Sequence, residues 1–262
     1  MKALSQKRRH PLAAIALLLM GLLLTGGLYA VATTVNEAKA STTTYSANDV
    51  EEGGKLFAAN CATCHGMGAS GTQAGPSLVG VGAAAVDFQV GTGRMPMQMN
   101  GPQALEKPVQ FNDEQTQQLA AYVASLGAGP AIPDESLLDE GGNAAVGGEL
   151  FRTNCAMCHN AAAAGGALTR GKFAPGLEDT SGKHIYEAMV TGPQNMPVFS
   201  DSNITPEGKR DIITFLKQIE TTGSPGGAAL GSLGPVAEGL FVWVAGLGVI
   251  IAFTIWLTSR TS

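Results

Sequence analysis

The two ends of the chain carry its long uncharged apolar stretches. Residues 12–32 follow a basic cytoplasmic leader at residues 1–11, and residues 240–257 lie near the opposite end. A helix that spans a bilayer needs about 20 apolar residues, with about 17 as the lower limit. We therefore predict a C-terminal transmembrane helix at residues 236–258. The first stretch is predicted to be a transmembrane helix or a signal-like anchor. Its length is sufficient for a membrane span. The basic leader before it and AKA at residues 38–40, which is similar to a signal-peptide cleavage site, are the reasons for the second interpretation.

Between the two ends, apolar residues recur at helical spacing in two further stretches. NDEQTQQLAAYVASLG starts at Asn112, and TPEGKRDIITFLKQIE starts at Thr205. Both starting residues are suitable N-caps, and Pro206 takes the first helical position, where its missing N–H costs no hydrogen bond. Each stretch predicts an amphipathic helix. The residues of the two apolar faces are Leu119, Tyr122, Val123 and Leu126 in the first, and Ile212, Phe215, Leu216 and Ile219 in the second.

The segment upstream of each of these helices is repeated. GGKLFAANCATCHG at residues 53–66 aligns without gaps on GGELFRTNCAMCHN at residues 147–160. A fixed offset of this kind indicates duplicated structural units. We therefore predict an all-α fold with two homologous domains. The predicted segments are a first domain at 45–127, an extended, Pro-containing acidic linker at 128–142, a second domain at 143–222 and a short tether at 223–235.

Charge is unevenly distributed along the chain. Four basic residues lie in the leader and Arg260 follows the last apolar stretch, so the positive-inside rule predicts that both termini are cytoplasmic. Residues 33–239 hold all 21 acidic residues but only 11 of the 16 basic ones, a formal net charge of −10. We therefore expect the two domains on the outer side of the cell membrane. Their acidity argues against nucleic-acid binding.

All four cysteines lie in the repeated segments, in the strings CATCHG and CAMCHN. Cys-x-x-Cys-His is typical of c-type haem attachment, in which two thiols bond one porphyrin edge and the following histidine ligates iron. Disulfides or a Cys₄ zinc site would use the same cysteines, but neither accounts for a histidine directly after each second cysteine. We predict two covalently bound c-type haems. Their predicted attachment residues are Cys61, Cys64, Cys155 and Cys158, with His65 and His159 as iron ligands.

The composition favours a core that is filled by a cofactor. Aromatic residues make up only 6% of the chain and glycine accounts for 35 residues, so a core of large apolar side chains would be small. A small helical domain usually needs an additional element to be stable, and the apolar faces of a covalent haem can supply it.

Methionines downstream of each motif are candidates for the second iron ligand. A Met-Pro pair occurs in each half, at Met95 and at Met196, and His/Met ligation is used by electron-transfer cytochromes. Met97 and Met99 lie next to the first pair and are expected to pack around the haem edge. His184 lies on a polar stretch and is expected to be an exposed side chain rather than a ligand.

A proline follows each motif at a comparable place, Pro76 in GPSL and Pro175 in APGL. A metal-ligating histidine normally donates its other ring N–H to a carbonyl or carboxylate, which fixes its tautomer. We predict that the carbonyls of these two prolines orient His65 and His159.

The tandem domains resemble class I cytochrome c folds. GVGAAAVDFQVGTGRMP, TGPQNMPVFS and EGLFVWVAGLG, together with the apolar ends, resemble the dihaem cytochrome c subunit (cytochrome cc) of the actinobacterial cytochrome bcc complex, a menaquinol–cytochrome c reductase. The resemblance extends from Gly53 over the rest of the chain. In that family the histidine of each motif and the downstream methionine are the axial ligands. Here they correspond to His65 with Met95 and His159 with Met196.

The resemblance implies electron transfer in aerobic respiration. In such complexes the cytochrome b subunit oxidises quinol, and a Rieske iron–sulfur subunit passes the electron to the dihaem subunit. That subunit relays the electron to the copper centre of a cytochrome aa-type oxidase in the same supercomplex. The chain would then be the electron-transfer subunit of a quinol–cytochrome c oxidoreductase, a translocase, without substrate chemistry of its own. The first haem would face the Rieske centre and the second the copper.

Two other functions would use the same cofactor. A dihaem peroxidase needs one haem without a strong distal ligand, and a Met-Pro in each half argues against it. A haem-based sensor is expected to carry a cytoplasmic signalling domain, for which the short leader and C-terminus offer no candidate.

Overall fold

The computed structural model describes residues 11–37, 45–99, 101–222 and 235–259. It divides into two compact units at residue 43. The first unit contains helix α1 (Pro11–Glu37). The helices of the second unit are α2 (Ala47–Asn60), α3 (Ala62–His65), α4 (Ala83–Gly91), α5 (Asp113–Leu126), α6 (Ala144–Asn154), α7 (Ala156–His159), α8 (Gly182–Thr191), α9 (Pro206–Thr222) and α10 (Pro235–Ser259).

The second unit contains two helical lobes with separate cores. We call α2–α5 the first lobe and α6–α9 the second lobe. Helix α2 packs on α5 in the first lobe, and α6 packs on α9 in the second. The cores include Phe57, Leu119 and Val123 in the first lobe, and Phe151, Ile212 and Leu216 in the second. The helix-rich architecture agrees with the predicted fold class, and both amphipathic helices bury the predicted faces.

The two amphipathic helices begin where the sequence predicts. Asn112 Oδ1 accepts the backbone N–H of Gln115 at 2.9 Å, and Gln115 Oε1 accepts the Asn112 N–H at 3.1 Å, which forms a capping box. Thr205 Oγ1 accepts the Gly208 N–H at 3.1 Å, and α9 starts at Pro206. Both helix starts therefore have their free N–H groups partly satisfied.

The repeated glycine pair has a packing role. A side chain at Gly53 would overlap the backbone carbonyl of Gln118, and one at Gly147 would overlap that of Asp211. These glycines let α2 approach α5, and α6 approach α9, more closely than any larger residue would allow. A substitution at either position would push apart the helix pair that carries the attachment motif.

A short β-hairpin in the second lobe was not predicted. Gly166–Ala167 (β1) pairs antiparallel with Phe173–Ala174 (β2). The loop between His159 and Pro175 is longer than its counterpart in the first lobe, where His65 and Pro76 are closer in sequence. The hairpin folds these additional residues back. The strands are too short for an alternating pattern to reveal them in the sequence.

The linker prediction of an extended spacer is wrong. Ile132 packs against the first core, and Leu137 and Leu138 pack against the second. A 3₁₀ turn forms at Glu135–Leu137, and the Ala84 N–H donates to the Pro130 carbonyl at 3.1 Å. Apolar residues between the acidic ones therefore attach this segment to both lobes.

Among the described residues, one helix segment is long and apolar enough to cross a membrane, Ala237–Ser259. This finding agrees with the predicted C-terminal anchor. A shorter apolar stretch, Ile15–Gly27, lies within α1. The leader at residues 1–10, the AKA site and the tether at residues 223–234 lie outside the described residues.

Candidate haem sites

The first Cys-x-x-Cys-His motif joins the end of α2 to the short helix α3. The Cys61 carbonyl accepts the backbone N–H groups of Cys64 at 3.1 Å and His65 at 3.0 Å. This turn directs His65 into the lobe, where it is 9% exposed. His65 Nδ1 lies 2.8 Å from the Pro76 carbonyl oxygen. If the ring N–H is donated there, the lone pair of Nε2 is free for a metal.

The second motif repeats this geometry at the end of α6. The Cys155 carbonyl accepts the N–H groups of Cys158 at 3.1 Å and His159 at 2.9 Å. His159 is also 9% exposed, and its Nδ1 lies 2.9 Å from the Pro175 carbonyl oxygen. Burial lowers the pKa of His159, although the bond to Pro175 acts in the opposite direction. The imidazole is therefore neutral at pH 7, the form that ligates a metal.

The four cysteines are free thiols. Burial raises the pKa of Cys61 and of Cys155 to about 11, and the neighbouring Cys64 or Cys158 adds to the shift. Among the described residues, no cluster of potential metal ligands contains a cysteine. The arrangement thus forms neither disulfides nor a Cys₄ zinc site, and it leaves each pair of thiols available to one cofactor.

The candidate distal methionines lie on the cores of their lobes. Met95 and Cys61 are both partly buried against the core of the first lobe, and Met196 is partly buried against the core of the second lobe, which contains Cys155. Met97 is also partly buried, but Met99 is 79% exposed and packs against little of the protein. The expectation that Met99 packs at the haem edge receives no support from this exposure.

A cavity of about 670 Å³ opens beside the second motif. This volume falls within the roughly 300–1,000 Å³ that is usual for ligand and cofactor sites. Cys155, Cys158, His159 and Met196 all line it. Phe173, which is 45% exposed, adds an apolar wall. Haem c requires two thiols for covalent attachment, and an imidazole and a thioether can ligate its iron. All four groups line one apolar cavity here, so the residues fit this group.

Comparison with known proteins agrees with this chemistry. A family model described as "Cytochrome C oxidase, cbb3-type, subunit III" matches residues 48–123 and 142–216. The chain is 49% identical over 228 residues to the "Cytochrome bc1 complex cytochrome c subunit" of Corynebacterium efficiens, covering 81% of this chain and 77% of the relative. It is 41% identical over 263 residues to the protein of the same name in Mycobacterium tuberculosis, covering 98% and 94%.

The chain belongs to the cytochrome c subunits of cytochrome bc1 complexes. The resemblance inferred from the sequence is therefore confirmed. Cytochrome c domains carry covalent haem c, and the two Cys-x-x-Cys sites of this family member are consistent with two haems. Membership makes the chain an electron-transfer component of a quinol–cytochrome c oxidoreductase, and the C-terminal apolar helix is consistent with membrane anchoring.

In this member of the family, the two lobes contact each other through α4 and α8. The expectation that His184 is exposed is wrong, because its side chain is only 22% exposed and lies in this contact. Its ring meets the Phe88 ring edge-on at 6.1 Å, and its Nε2 lies 4.0 Å from Asp87 Oδ2. Burial is the main cause of its lowered pKa. Lys183 and His184 therefore lie next to Asp87 of the other lobe, although their sequence neighbour Ser181 is exposed.

Two buried carboxyl groups lie in the same contact, and no pattern in the sequence predicts them. Asp87 is 3% exposed and Glu187 is fully buried. Lys183 Nζ lies 2.6 Å from Asp87 Oδ2. One side-chain atom each of Asp87, His184 and Glu187 lie within 4.8 Å of one another, so a protonated Glu187 can donate a hydrogen bond to Asp87. Burial raises the pKa of Glu187 to about 10, and the charge of Asp87 adds to the shift. Glu187 is therefore protonated at pH 7.

Proposed function

We propose that this chain is a membrane-anchored dihaem cytochrome c that relays electrons in aerobic respiration. It would accept them from the Rieske iron–sulfur centre of a cytochrome bcc complex and pass them to the copper centre of a cytochrome aa-type oxidase. The observation that carries the proposal is the duplicated geometry of two buried histidines, each hydrogen-bonded through Nδ1 to a proline carbonyl at 2.8 or 2.9 Å.

Each residue of the two motifs has a proposed role. When haem c is bound, two cysteines per lobe would hold it through thioether bonds, and the buried histidine, through Nε2, and a methionine would ligate its iron. The proposed sets are Cys61, Cys64, His65 and Met95 in the first lobe, and Cys155, Cys158, His159 and Met196 in the second. Pro76 and Pro175 hold the two imidazoles in the ligating tautomer.

The protein sets the conditions under which this cofactor works. When bound, haem c with histidine and methionine ligands supplies reversible one-electron exchange at a raised potential. Both histidines are buried, and with a methionine as the second iron ligand no position would be left for a peroxide or oxygen substrate. This argues for a relay without substrate chemistry of its own.

We propose that the helices at both ends anchor the chain in the cell membrane, with both termini cytoplasmic and the lobes outside. Arg260 and the basic leader support this orientation. The proposed domains are residues 45–127 and 143–222. The partners would be the cytochrome b subunit, the Rieske subunit, the oxidase and membrane lipid. Anchoring raises the effective concentration of the relay at its partners, so a diffusing carrier is not required.

The covalent haem content tests this proposal directly. Thioether bonds survive unfolding, so the denatured, solvent-extracted chain should retain two haems per polypeptide, measured by the pyridine haemochrome spectrum against protein mass. Loss of all colour on extraction, or a ratio of one, would contradict the dihaem assignment.

Substitutions of the methionines test the axial ligands. Met196→His should keep a low-spin haem but lower one midpoint potential, because methionine ligation raises it. Met97→Leu should leave both haems nearly unchanged, with Met99→Leu as an exposed control. Redox titration followed by absorption spectroscopy provides the measurement. A large spectral change in Met97→Leu would move the first distal ligand from Met95 to Met97.

A further inference from the structure

The cavity at the second motif is not enclosed by the second lobe alone. Arg94, Gln103 and Lys107 of the first lobe line it together with His159 and Met196. The sequence repeat predicts two homologous cytochrome domains, each with its own site. The second site therefore departs from that expectation, because part of its wall belongs to the other lobe.

Gln103 holds the loop that supports the proximal histidine. Its side-chain Nε2 donates to the Phe173 carbonyl at 2.9 Å, and its Oε1 accepts the Phe173 N–H at 2.9 Å. The amide thus pairs with the backbone of β2 as a neighbouring strand would. Phe173 lies two residues before Pro175, whose carbonyl lies 2.9 Å from His159 Nδ1. The first lobe therefore fixes the segment that orients this imidazole.

Gln194 makes a second contact of the same kind in the opposite direction. Its Oε1 accepts the Ala104 N–H at 3.0 Å, and its Nε2 donates to the Ala104 carbonyl at 2.9 Å. Gln194 lies two residues before Met196 and has a positive φ of 60°. A non-glycine residue in this left-handed conformation is strained and persists where its surroundings fix it. The reciprocal bonds to Ala104 provide such a constraint.

Two first-lobe cations lie on the same wall. Arg94 is 9% exposed and its guanidinium carbon lies 4.9 Å from the centre of the Phe88 ring. Its acidic neighbour, Glu106, is 3.4 Å away and itself mostly exposed. Lys107 Nζ donates to the Pro96 carbonyl at 2.6 Å. Arg94 is buried and Lys107 is half-buried, and both line the cavity together with the mostly exposed Glu106. Cations on a cavity wall match a ligand with carboxylates, such as the two propionates of haem.

We propose that the first lobe completes the second haem site, with Gln103 and Gln194 as positioning residues for the loops that carry Pro175 and Met196. The inference rests on the proposed function, since it assigns these loops to haem ligation. Arg94 and Lys107 supply positive charge at the edge that receives the propionates. The second lobe is thus not an independent cytochrome: its ligation depends on its contact with the first lobe.

The test uses the full chain in detergent, with Gln103→Ala, Gln194→Ala and the double variant. Gln98→Ala is the matched control, because Gln98 is exposed and lies on the same stretch of the first lobe. The haem signals are assigned with Met196→His. We expect the double variant to lose much of the methionine-to-iron charge-transfer absorption of the second haem and to lower its midpoint potential, while the first haem keeps both values.

Each outcome distinguishes this inference from the proposed function. If the wild-type chain has two His/Met haems but the double variant leaves the second haem unchanged, the shared site is wrong and the relay stands. Equal shifts of both haems would also overturn it, because they would indicate general destabilisation. If the wild-type chain shows no second His/Met haem, the proposed function fails first. Gln103→Glu provides a further check, because a carboxylate accepts the Phe173 N–H but cannot donate to its carbonyl.

Discussion

Replacement of both Cys155 and Cys158 by alanine should abolish quinol-driven oxygen consumption while one haem stays attached through Cys61 and Cys64. The proposed relay passes electrons through two haems in series, so removal of the second haem should stop electron transfer completely rather than slow it. Oxygen uptake by membranes that contain the variant, with covalent haem content determined in parallel, provides the measurement.

Met157→Ala is the matched control for this variant. Met157 lies between the two cysteines and is 94% exposed, so its loss should leave haem attachment and oxygen uptake near wild-type values. Purification of the complex in mild detergent establishes that the subunit still assembles. Wild-type oxygen uptake by an assembled variant that lacks the second haem would show that electrons bypass the second lobe.

The second large effect concerns the pH dependence of stability. Glu187 has a pKa raised from 4.5 to about 10 by burial. Between these values the unfolded chain releases a proton that the folded chain keeps, so the free energy of unfolding falls as pH rises, by at most about 1.4 kcal/mol per pH unit. Glu187→Gln replaces the ionisable carboxyl group by a neutral amide, which resembles the protonated form of Glu187. The variant should resemble the wild type at pH 5 and be more stable than the wild type at pH 9.

Urea unfolding at pH 5 and pH 9, followed by circular dichroism, measures the difference. Glu149→Gln is the control, because Glu149 is exposed on α6 and the same substitution there should leave the difference in stability between the two pH values unaltered. A Glu187→Gln variant that is less stable than the wild type at both pH values would mean that Glu187 is ionised and paired in the folded protein.

The sequence predicted what depends on local pattern. The caps at Asn112 and Thr205, the apolar faces of the two amphipathic helices and the C-terminal anchor follow from spacing and residue type within short stretches. The cysteine and histidine motifs are local too. These motifs and other short sequence segments indicate the family, and the comparisons confirm the membership. The proposed axial roles of Met95 and Met196 remain predictions.

Contacts between the lobes could not be predicted in this way. Gln103 and Phe173 are 70 residues apart, and Ala104 and Gln194 are 90 apart, so no periodic pattern connects them. His184 has polar sequence neighbours, which favoured exposure, yet its helix faces the other lobe. The linker appeared extended because of its prolines and acidic residues, whereas its few apolar side chains determine where it packs. A sequence repeat indicates similar units but does not show how they dock.

We propose that electrons enter at the first lobe and leave through the second. Rapid mixing of quinol with the assembled complex that carries Cys155→Ala and Cys158→Ala, with haem absorbance followed in time, tests this order. We expect the remaining first-lobe haem to be reduced at the wild-type rate and then to stay reduced in the presence of oxygen. If this haem is not reduced although the complex is intact, the proposed order of the two lobes is reversed.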